Sequence, residues 1–379
     1  MRVLAVTTWL PTRARPHLGA FVLRDARALA DAGHEVALIH LASPGQVGPG
    51  GRRALRSEDR TPAGIPVTRI LMSTTSPQQI ARAGHRLSRW SAGADVVHTM
   101  AFPTLLALSW WRPHAPWVHT EHWSGLSAPA CLPAAQRVAL PALRHLLRRP
   151  DVVTAVTGPL AGLVRDVRGA RPTTVVPCIA QQPRPLAPRD PDPSRLRLVS
   201  VGALIERKDP LLAVDTLAEL NRRGTDAGLR FVGEGPLSAA ILRRATEHGL
   251  DDRVQLVGAV DATAVTTELA HADVFLGPTR GENFFIACAE AVLAGRPVVV
   301  GSCGGHPAYL DDRVAVCVPH QDPVAYADAV LQVLQRSRLL SAEEISDTIG
   351  RQFSPAAVAE GYTGAYELAS ATSPVARGA

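Results

Sequence analysis

Two glutamates stand seven residues apart in Gly281-Glu282-Asn283-Phe284-Phe285-Ile286-Ala287-Cys288-Ala289-Glu290. The pattern places Glu282 at a strand-to-helix turn and Glu290 about two turns into a helix over 283–294. The backbone N–H groups of Asn283, Phe284 and Phe285 would then be uncovered, and an uncovered helix start attracts anionic oxygen. Glu282 beside it can meet a neutral sugar. Glu290, ~12 Å further along the axis at about 1.5 Å per residue, can accept from both hydroxyls of a ribose. Taken alone, Glu290 reads as an exposed helix charge. A third residue stands out by rarity: Lys208, in VGALIERKDP, is the only lysine beside 39 arginines. Codon bias towards arginine would replace a lysine that only had to be positive; chance retention is the alternative.

Other patterns carry less. Gly233-Glu234-Gly235 starts like GxGxxG but lacks the third glycine and does not open the first βαβ unit, which disfavours a nicotinamide-dependent oxidoreductase. No GxxxxGK[ST] and no HExxH occurs. His119-Thr120-Glu121-His122 with His114, and Asp190-Pro191-Asp192, offer metal-ligand types. Strand-end histidines more often serve as hydrogen-bonding groups, and the acid pair sits in a proline-rich stretch, so no metal is expected. The five cysteines form no CxxC pair, which argues against a disulfide framework or zinc finger and for a reducing cytosol.

The elements that must position these residues alternate between strand and helix. Expected strands include Arg2–Thr8, Glu35–Leu41, Pro66–Leu71, Pro116–Thr120 and Val152–Val156, with helices such as Ala20–Ala32, Pro77–Ser91, Pro103–Trp111 and Ala134–Arg149 between them. Such alternation implies right-handed βαβ units and parallel sheets covered on both faces. Residues 43–64, rich in Gly, Pro and Arg, read as a mobile loop. Gln181–Ser194 holds five prolines and reads as a linker. The expected organisation is therefore an acceptor-side domain over 1–180, a linker over 181–194, a second domain over 195–352 and a helix over 353–370. Two such domains joined by a hinge imply a cleft between the carboxyl ends of their sheets.

Charge divides the same way. Residues 1–180 carry 21 arginines and 9 acids (+12), and residues 181–379 carry 19 basic residues and 25 acids (−6). An arginine surplus with only 4% aromatic residues is no signature of nucleic-acid binding. Arg82, Arg86 and Arg89 recur at helical spacing, and Arg144, Arg148 and Arg149 cluster. They suit an anionic acceptor or an anionic membrane surface; a solvated face produced by codon bias explains them equally. The start, MRVLAVTTWLPTR, reads as a buried strand and not as a signal peptide, and the longest apolar run, 13 residues over Thr99–Trp111, is too short to span a bilayer. A cytoplasmic protein, peripheral at most on the inner face of a membrane, is expected.

Nearly the whole chain resembles the retaining nucleotide-sugar glycosyltransferases of family 4, which have the GT-B fold: α/β, two Rossmann-like doubly wound parallel-sheet domains, an interdomain cleft and a C-terminal helix returning to the first domain. TRGENFFIACAEAVLAGRPVVV is similar to that family's donor helix, with Glu282 and Glu290 on its two glutamates and Asn283, Phe284 and Phe285 against the donor. VGALIERKDP resembles its phosphate-binding strand end, with Gly202 at the glycine and Lys208 on the diphosphate-contacting basic position. FVGEGPL and DDRVQLVGAV resemble the segments around the nucleobase pocket, which places Val257 there. LPTRARPHLGAF resembles the opening loop, with Gly19 approaching the phosphates, and APWVHTEHWSGL the strand end whose histidine, here His122, touches the donor sugar. The usual arginine after the phosphate-strand glycine is Ala203 here, with Arg207 as its replacement, and the usual small residues flanking the donor-helix phenylalanine are Asn283 and Phe285.

The resemblance implies metal-independent, retaining transfer of a sugar from a nucleoside-diphosphate sugar to the hydroxyl of a small-molecule, lipid-linked or saccharide acceptor, with no cofactor. Lys208 and Arg207 would stabilise the departing diphosphate, Glu282 and His122 orient the sugar, and Glu290 anchor the ribose. A nucleotide-sugar epimerase of the same architecture and a non-catalytic sugar-nucleotide-binding subunit are the alternative readings.

Overall fold

The computed structural model describes residues 1–12, 18–47, 59–190 and 193–373. They form two compact units: Met1–Ile179 with the chain's end from Ser354, and Ala180–Phe353.

The first unit is built on eight strands: β1 (Arg2–Thr7), β2 (Glu35–Ala42), β3 (Asp59–Arg60), β4 (Pro66–Leu71), β5 (Val96–Met100), β6 (Trp117–Glu121), β7 (Val152–Ala155) and β8 (Thr173–Val175). Their order is β3-β4-β2-β1-β5-β6-β7-β8, parallel except for the two-residue edge strand β3. The central strands are apolar on both sides, as strands covered by helices must be. One face packs Val3, Ala5 and Val118 against Val22, Ala26 and Leu29 of the helix Ala20–Asp31, and against Tyr362 and Tyr366 of the helix Pro355–Thr372. The other packs Val6, Ile39 and Val97 against Ile80, Ala83 and Leu87 of the helix Pro77–Trp90.

The returning helix closes a buried polar layer. The Tyr362 hydroxyl donates to Asp25 Oδ2 at 3.2 Å, His98 Nδ1 meets the Tyr366 hydroxyl at 2.8 Å, and His98 Nε2 meets Thr120 Oγ1 at 2.5 Å. Burial pushes the Asp25 carboxyl up to about 7, while the Tyr362 hydroxyl and then Arg24 pull the other way. A carboxyl there is easiest to keep protonated.

The second unit has six parallel strands: β9 (Leu196–Val201), β10 (Ala227–Val232), β11 (Val254–Gly258), β12 (Val274–Gly277), β13 (Val298–Gly301) and β14 (Ala315–Val318), in the order β11-β10-β9-β12-β13-β14. Helices Pro210–Arg222 and Pro323–Ser337 pack side by side over one core, and Ile286–Leu293 packs on β12 and β13.

Several elements differ from expectation. The proline-rich stretch is no free linker: its described residues belong to the second unit. The Arg189 guanidinium donates to the Ser337 and Leu340 carbonyls at 2.7 Å, and Arg296 donates to those of Ala187 and Pro188 at 3.1 and 3.3 Å. Proline removes backbone donors but not acceptors, so this strap is held through its own carbonyls and through the Arg189 side chain. The 43–64 segment holds a short helix, Pro44–Val47, and β3; residues 48–58 lie outside the described residues. Pro191 and Asp192 of the candidate acid pair also lie outside them. The helix expected over 103–111 is only Thr104–Ala107, and that over 134–149 is Ala134–Leu143 followed by a 3-10 turn, Arg144–Arg148.

Candidate active site

The carboxyl ends of β9 and β12, paired neighbours, carry the central group. After β9 the chain makes a 3-10 turn, Glu206–Lys208, and after β12 it runs through Thr279–Glu282. The two turns are stitched by their backbones: the Arg207 carbonyl accepts from the Arg280 N–H at 2.8 Å and from the Thr279 hydroxyl at 3.1 Å. Both cations then converge on one carboxylate, Lys208 Nζ and Arg207 Nη1 each lying 2.5 Å from Glu282 Oε1. Burial alone would raise the Glu282 carboxyl, but Lys208 and then Arg207 outweigh it and hold the group below its ordinary value. The cluster is therefore an ionised carboxylate under two cations, with a net positive charge.

The Glu282 backbone is fixed as firmly. Its N–H donates to the Cys303 carbonyl and its carbonyl accepts from the Gly305 N–H, both at 3.1 Å. Gly304, at φ +142°, passes so close that a β-carbon there would lie 1.8 Å from the Glu282 oxygen, which only glycine permits.

The donor-type helix begins at Ile286, three residues later than expected, because Phe285 is left-handed (φ 60°, ψ 65°). Tyr309, which sequence reading did not single out, clamps that conformation: its hydroxyl donates to the Phe284 and Phe285 carbonyls at 2.6 and 3.2 Å. The first amides of the helix are thus those of Ile286 and Ala287, not those of Asn283–Phe285, and Glu290 lies just over one turn in. Asn283, Phe284 and Phe285 are buried. The Phe285 ring lies under Lys208, with Nζ 4.1 Å from its centroid, and against His306 at 5.4 Å. Glu290 is not the exposed charge its spacing alone suggested: it is buried, with Oε1 3.5 Å from the Gln181 N–H.

Gly202, Ala203, Lys208, Gly277 and Phe285 line a small concavity over these strand ends. Next to it the β10 turn packs on the β9 turn, with the Leu204 N–H donating to the Glu234 carbonyl at 3.0 Å. Beyond that, Val257 is half-buried at the end of β11, where the Gly233 N–H donates to the Gly258 carbonyl at 2.8 Å. In sheet order the strand ends thus present Val257, Glu234, Gly202 with Lys208, and Glu282.

In the first unit, His122 follows β6, its ring 4.9 Å from that of Phe21, whose own ring packs on Trp9. Burial, with His119 adding, lowers His122 to about 3, so its imidazole is neutral at neutral pH. His119 pairs with Thr99 at 2.9 Å and Glu121 at 3.4 Å, as hydrogen-bonding histidines do. Among the described residues no group of three His, Cys, Asp or Glu side chains is placed to hold a metal ion. Gly19 caps the helix Ala20–Asp31 at φ +71°, where a β-carbon would lie 2.2 Å from the Trp9 carbonyl oxygen. That close approach is a packing reason for glycine, and residues 13–17 before it lie outside the described residues.

Residues 18–179 match the family described as Glycosyltransferase Family 4, and residues 195–336 that described as Glycosyl transferases group 1. The sucrose-phosphate synthase of Thermosynechococcus elongatus superposes with a TM-score of 0.77 at 21% identity, covering 98% of this chain and 100% of that one. Anabaena HepE, solved in complex with UDP and glucose, gives 0.71 at 17% identity over 97% and 99%. Among sequence relatives, a GDP-mannose-dependent alpha-(1-6)-phosphatidylinositol dimannoside mannosyltransferase of Mycobacterium tuberculosis is 34% identical over 38% of this chain and 37% of its own length. The corresponding monomannoside enzyme of Mycolicibacterium smegmatis is 32% identical over 54% and 58%. The matched regions thus span between about a third and three-fifths of these two relatives. A glycogen synthase of M. tuberculosis is 25% identical over 88% of this chain and 86% of its own.

Sheet order, domain division and these matches define a glycosyltransferase-type protein of GT-B fold. The chain belongs to glycosyltransferase family 4.

Proposed function

We propose that this protein transfers a glycosyl group from a nucleoside-diphosphate sugar to an acceptor hydroxyl, with retention at the anomeric carbon and without a metal ion. The observation that carries this is the pairing of Lys208 and Arg207 on Glu282 at 2.5 Å. Two cations sharing one carboxylate are poised to exchange it for a diphosphate, which brings more negative charge than the glutamate it displaces. Glu282, released from part of that pairing, then accepts from sugar hydroxyls beside the anion. As the glycosidic bond breaks, negative charge grows on the leaving diphosphate, and fixed cations stabilise it without reorganising. The acceptor hydroxyl gives its proton to that diphosphate oxygen and bonds to the anomeric carbon on the same face. His122, neutral at working pH, takes part as a hydrogen-bonding group on the sugar, and Glu290 anchors the ribose.

The test is a donor-by-acceptor array read by mass spectrometry, with the product's anomeric configuration read by NMR. A product of inverted configuration would overturn retention. Loss of turnover in EDTA, restored by manganese, would overturn metal independence. Donor conversion that needs no acceptor would establish an epimerase, and donor binding without any turnover a non-catalytic subunit.

A further inference from the structure

The first unit carries a surface that its own fold does not use. The helix Ala134–Leu143 (AAQRVALPAL) buries none of its residues, and Val138 is 81% exposed. Short helices draw their stability mainly from packing an apolar face, yet among the described residues this one is anchored on the core only at its last turn, through Leu143, and leaves the side around Val138 open. This helix runs on into the 3-10 turn Arg144–Arg148, which packs beside Thr104–Ala107, which in turn packs beside the helix Pro77–Trp90. Just after Thr104–Ala107 the chain exposes two adjacent tryptophans: Trp110 is 62% exposed, and Trp111 rests on His85 with ring centroids 5.1 Å apart.

The charge on these elements has one sign. Arg82, Arg86 and Arg89 are exposed on the helix Pro77–Trp90, and Arg144 and Arg148 on the 3-10 turn. From Met72 to Ala94 there is no acidic residue, and from Met100 to Pro150 the single acid, Glu121, is fully buried. Behind the 3-10 turn, Asp151 is paired with Arg112, and the exposed Asp166 of the neighbouring helix Gly158–Arg168 stands next to the exposed Arg165. Exposed tryptophans, an apolar helix open on one side and arginine-bearing elements with no exposed acid of their own are what an interface between water and anionic lipid selects.

We propose that the first unit docks on an anionic bilayer through this surface, with the helix Ala134–Leu143 and Trp110 entering the headgroup region and the arginines above it. No helix among the described residues is long and apolar enough to cross a membrane, so the attachment is peripheral. It brings the protein to acceptors embedded in the same surface.

The full chain, without donor, is tested for flotation with vesicles of phosphatidylcholine alone and of phosphatidylcholine mixed with phosphatidylglycerol. Binding is expected only to the mixed vesicles. It should fall as salt rises from 0.1 M to 1 M and the screening length shrinks from ~10 to ~3 Å. Replacing Arg82, Arg86 and Arg89 by Gln should weaken it by ~10²-fold, about fivefold per charge. Val138→Asp should weaken it further without lowering the melting temperature, because that side chain touches little. Brominated lipid should quench tryptophan emission less in Trp110→Phe than in the parent. Absence of binding at low salt overturns the proposal, as does equal binding to neutral vesicles or full binding by Val138→Asp. A dimer that Val138→Asp converts to a monomer, with no vesicle binding, would assign the surface to a second copy instead. The measurement involves no turnover, so its failure is distinct from failure of the glycosyl-transfer reading.

Discussion

Lys208→Ala puts the proposed chemistry at risk most directly. Lys208 Nζ lies 2.5 Å from Glu282 and 4.1 Å over the Phe285 ring. Two unit charges 4 Å apart interact by about 4 kcal/mol at an effective dielectric near 20. Most of that is not available as affinity, because an arriving diphosphate replaces a counter-ion already present. What remains is the charge that develops on the leaving group. One preorganised donor aimed at such charge contributes ~2.7–4 kcal/mol, so kcat should fall by ~10²–10³-fold with a smaller change in donor KM. The fold should survive, since Arg207 still sits 2.5 Å from Glu282 and no buried carboxylate is left uncompensated. Lys208→Arg should also be impaired, because a planar guanidinium fork does not reproduce a compact ammonium held 2.5 Å from Glu282 and 4.1 Å over the Phe285 ring. The assay is initial-rate release of nucleoside diphosphate, paired with thermal melts. Labelling gives a second readout, because bound donor should shield this sole lysine from an amine-specific reagent once the N-terminus is blocked. Near-wild-type kcat in a folded Lys208→Ala protein, or labelling indifferent to donor, would refute the reasoning.

Three further outcomes are expected. Glu290→Gln should weaken nucleotide binding in calorimetry more than it lowers kcat, and Glu282→Gln should do the reverse; the opposite split would exchange their roles. Gly304→Ala should lower activity and stability together, by more than the ~1–3 kcal/mol of backbone strain alone, because its methyl would strike the Glu282 carbonyl; an unchanged melting curve would contradict this. Asp25→Asn should raise stability at high pH. Folding lifts the Asp25 pKa from 3.8 to about 7, so the native state holds a proton that the unfolded chain lacks in that window. Wild-type stability should therefore fall as pH rises from about 4 to 7, by at most ~4 kcal/mol, and Asn should remove that slope. Chemical denaturation at pH 4 and pH 8 measures it, and parallel losses in both proteins would show that Asp25 stays ionised.

The strands were legible because buried parallel strands are short apolar runs between turn residues, and β1, β2 and β4 fall within a residue or so of expectation. Lys208 and Glu282 stand out in the sequence by rarity and spacing, and the structure brings the two together at 2.5 Å. What spacing could not show is where the donor-type helix starts. Helical periodicity runs through Asn283–Phe285, but the Tyr309 hydroxyl, 24 residues away, holds Phe285 left-handed. Nor could periodicity show that Glu290 is buried, since that depends on the strap around Gln181. Asp25, His98 and Tyr366 looked like ordinary helix and strand positions, and only the pairing of the chain's end with its beginning makes them a network. Trp110 and Trp111 lay inside an apolar stretch read as a helix; Thr104–Ala107 stops short of them and leaves them outside.

The placement of the last helix has a consequence for synthesis. Pro355–Thr372 supplies Tyr362 and Tyr366 to the core of a unit whose other residues end at Ile179. While the ribosome is still making residues 180–353, the first unit lacks the tyrosine partners of Asp25 and His98 and exposes the apolar surface that this helix will cover. The second unit, continuous in sequence, can complete its fold in that interval. Maturation of the nascent chain should therefore run middle first and ends last. Emergence of Pro355–Thr372 from the ribosome, more than passage of the first 179 residues through its tunnel, is the moment at which the amino-terminal half becomes resistant to protease.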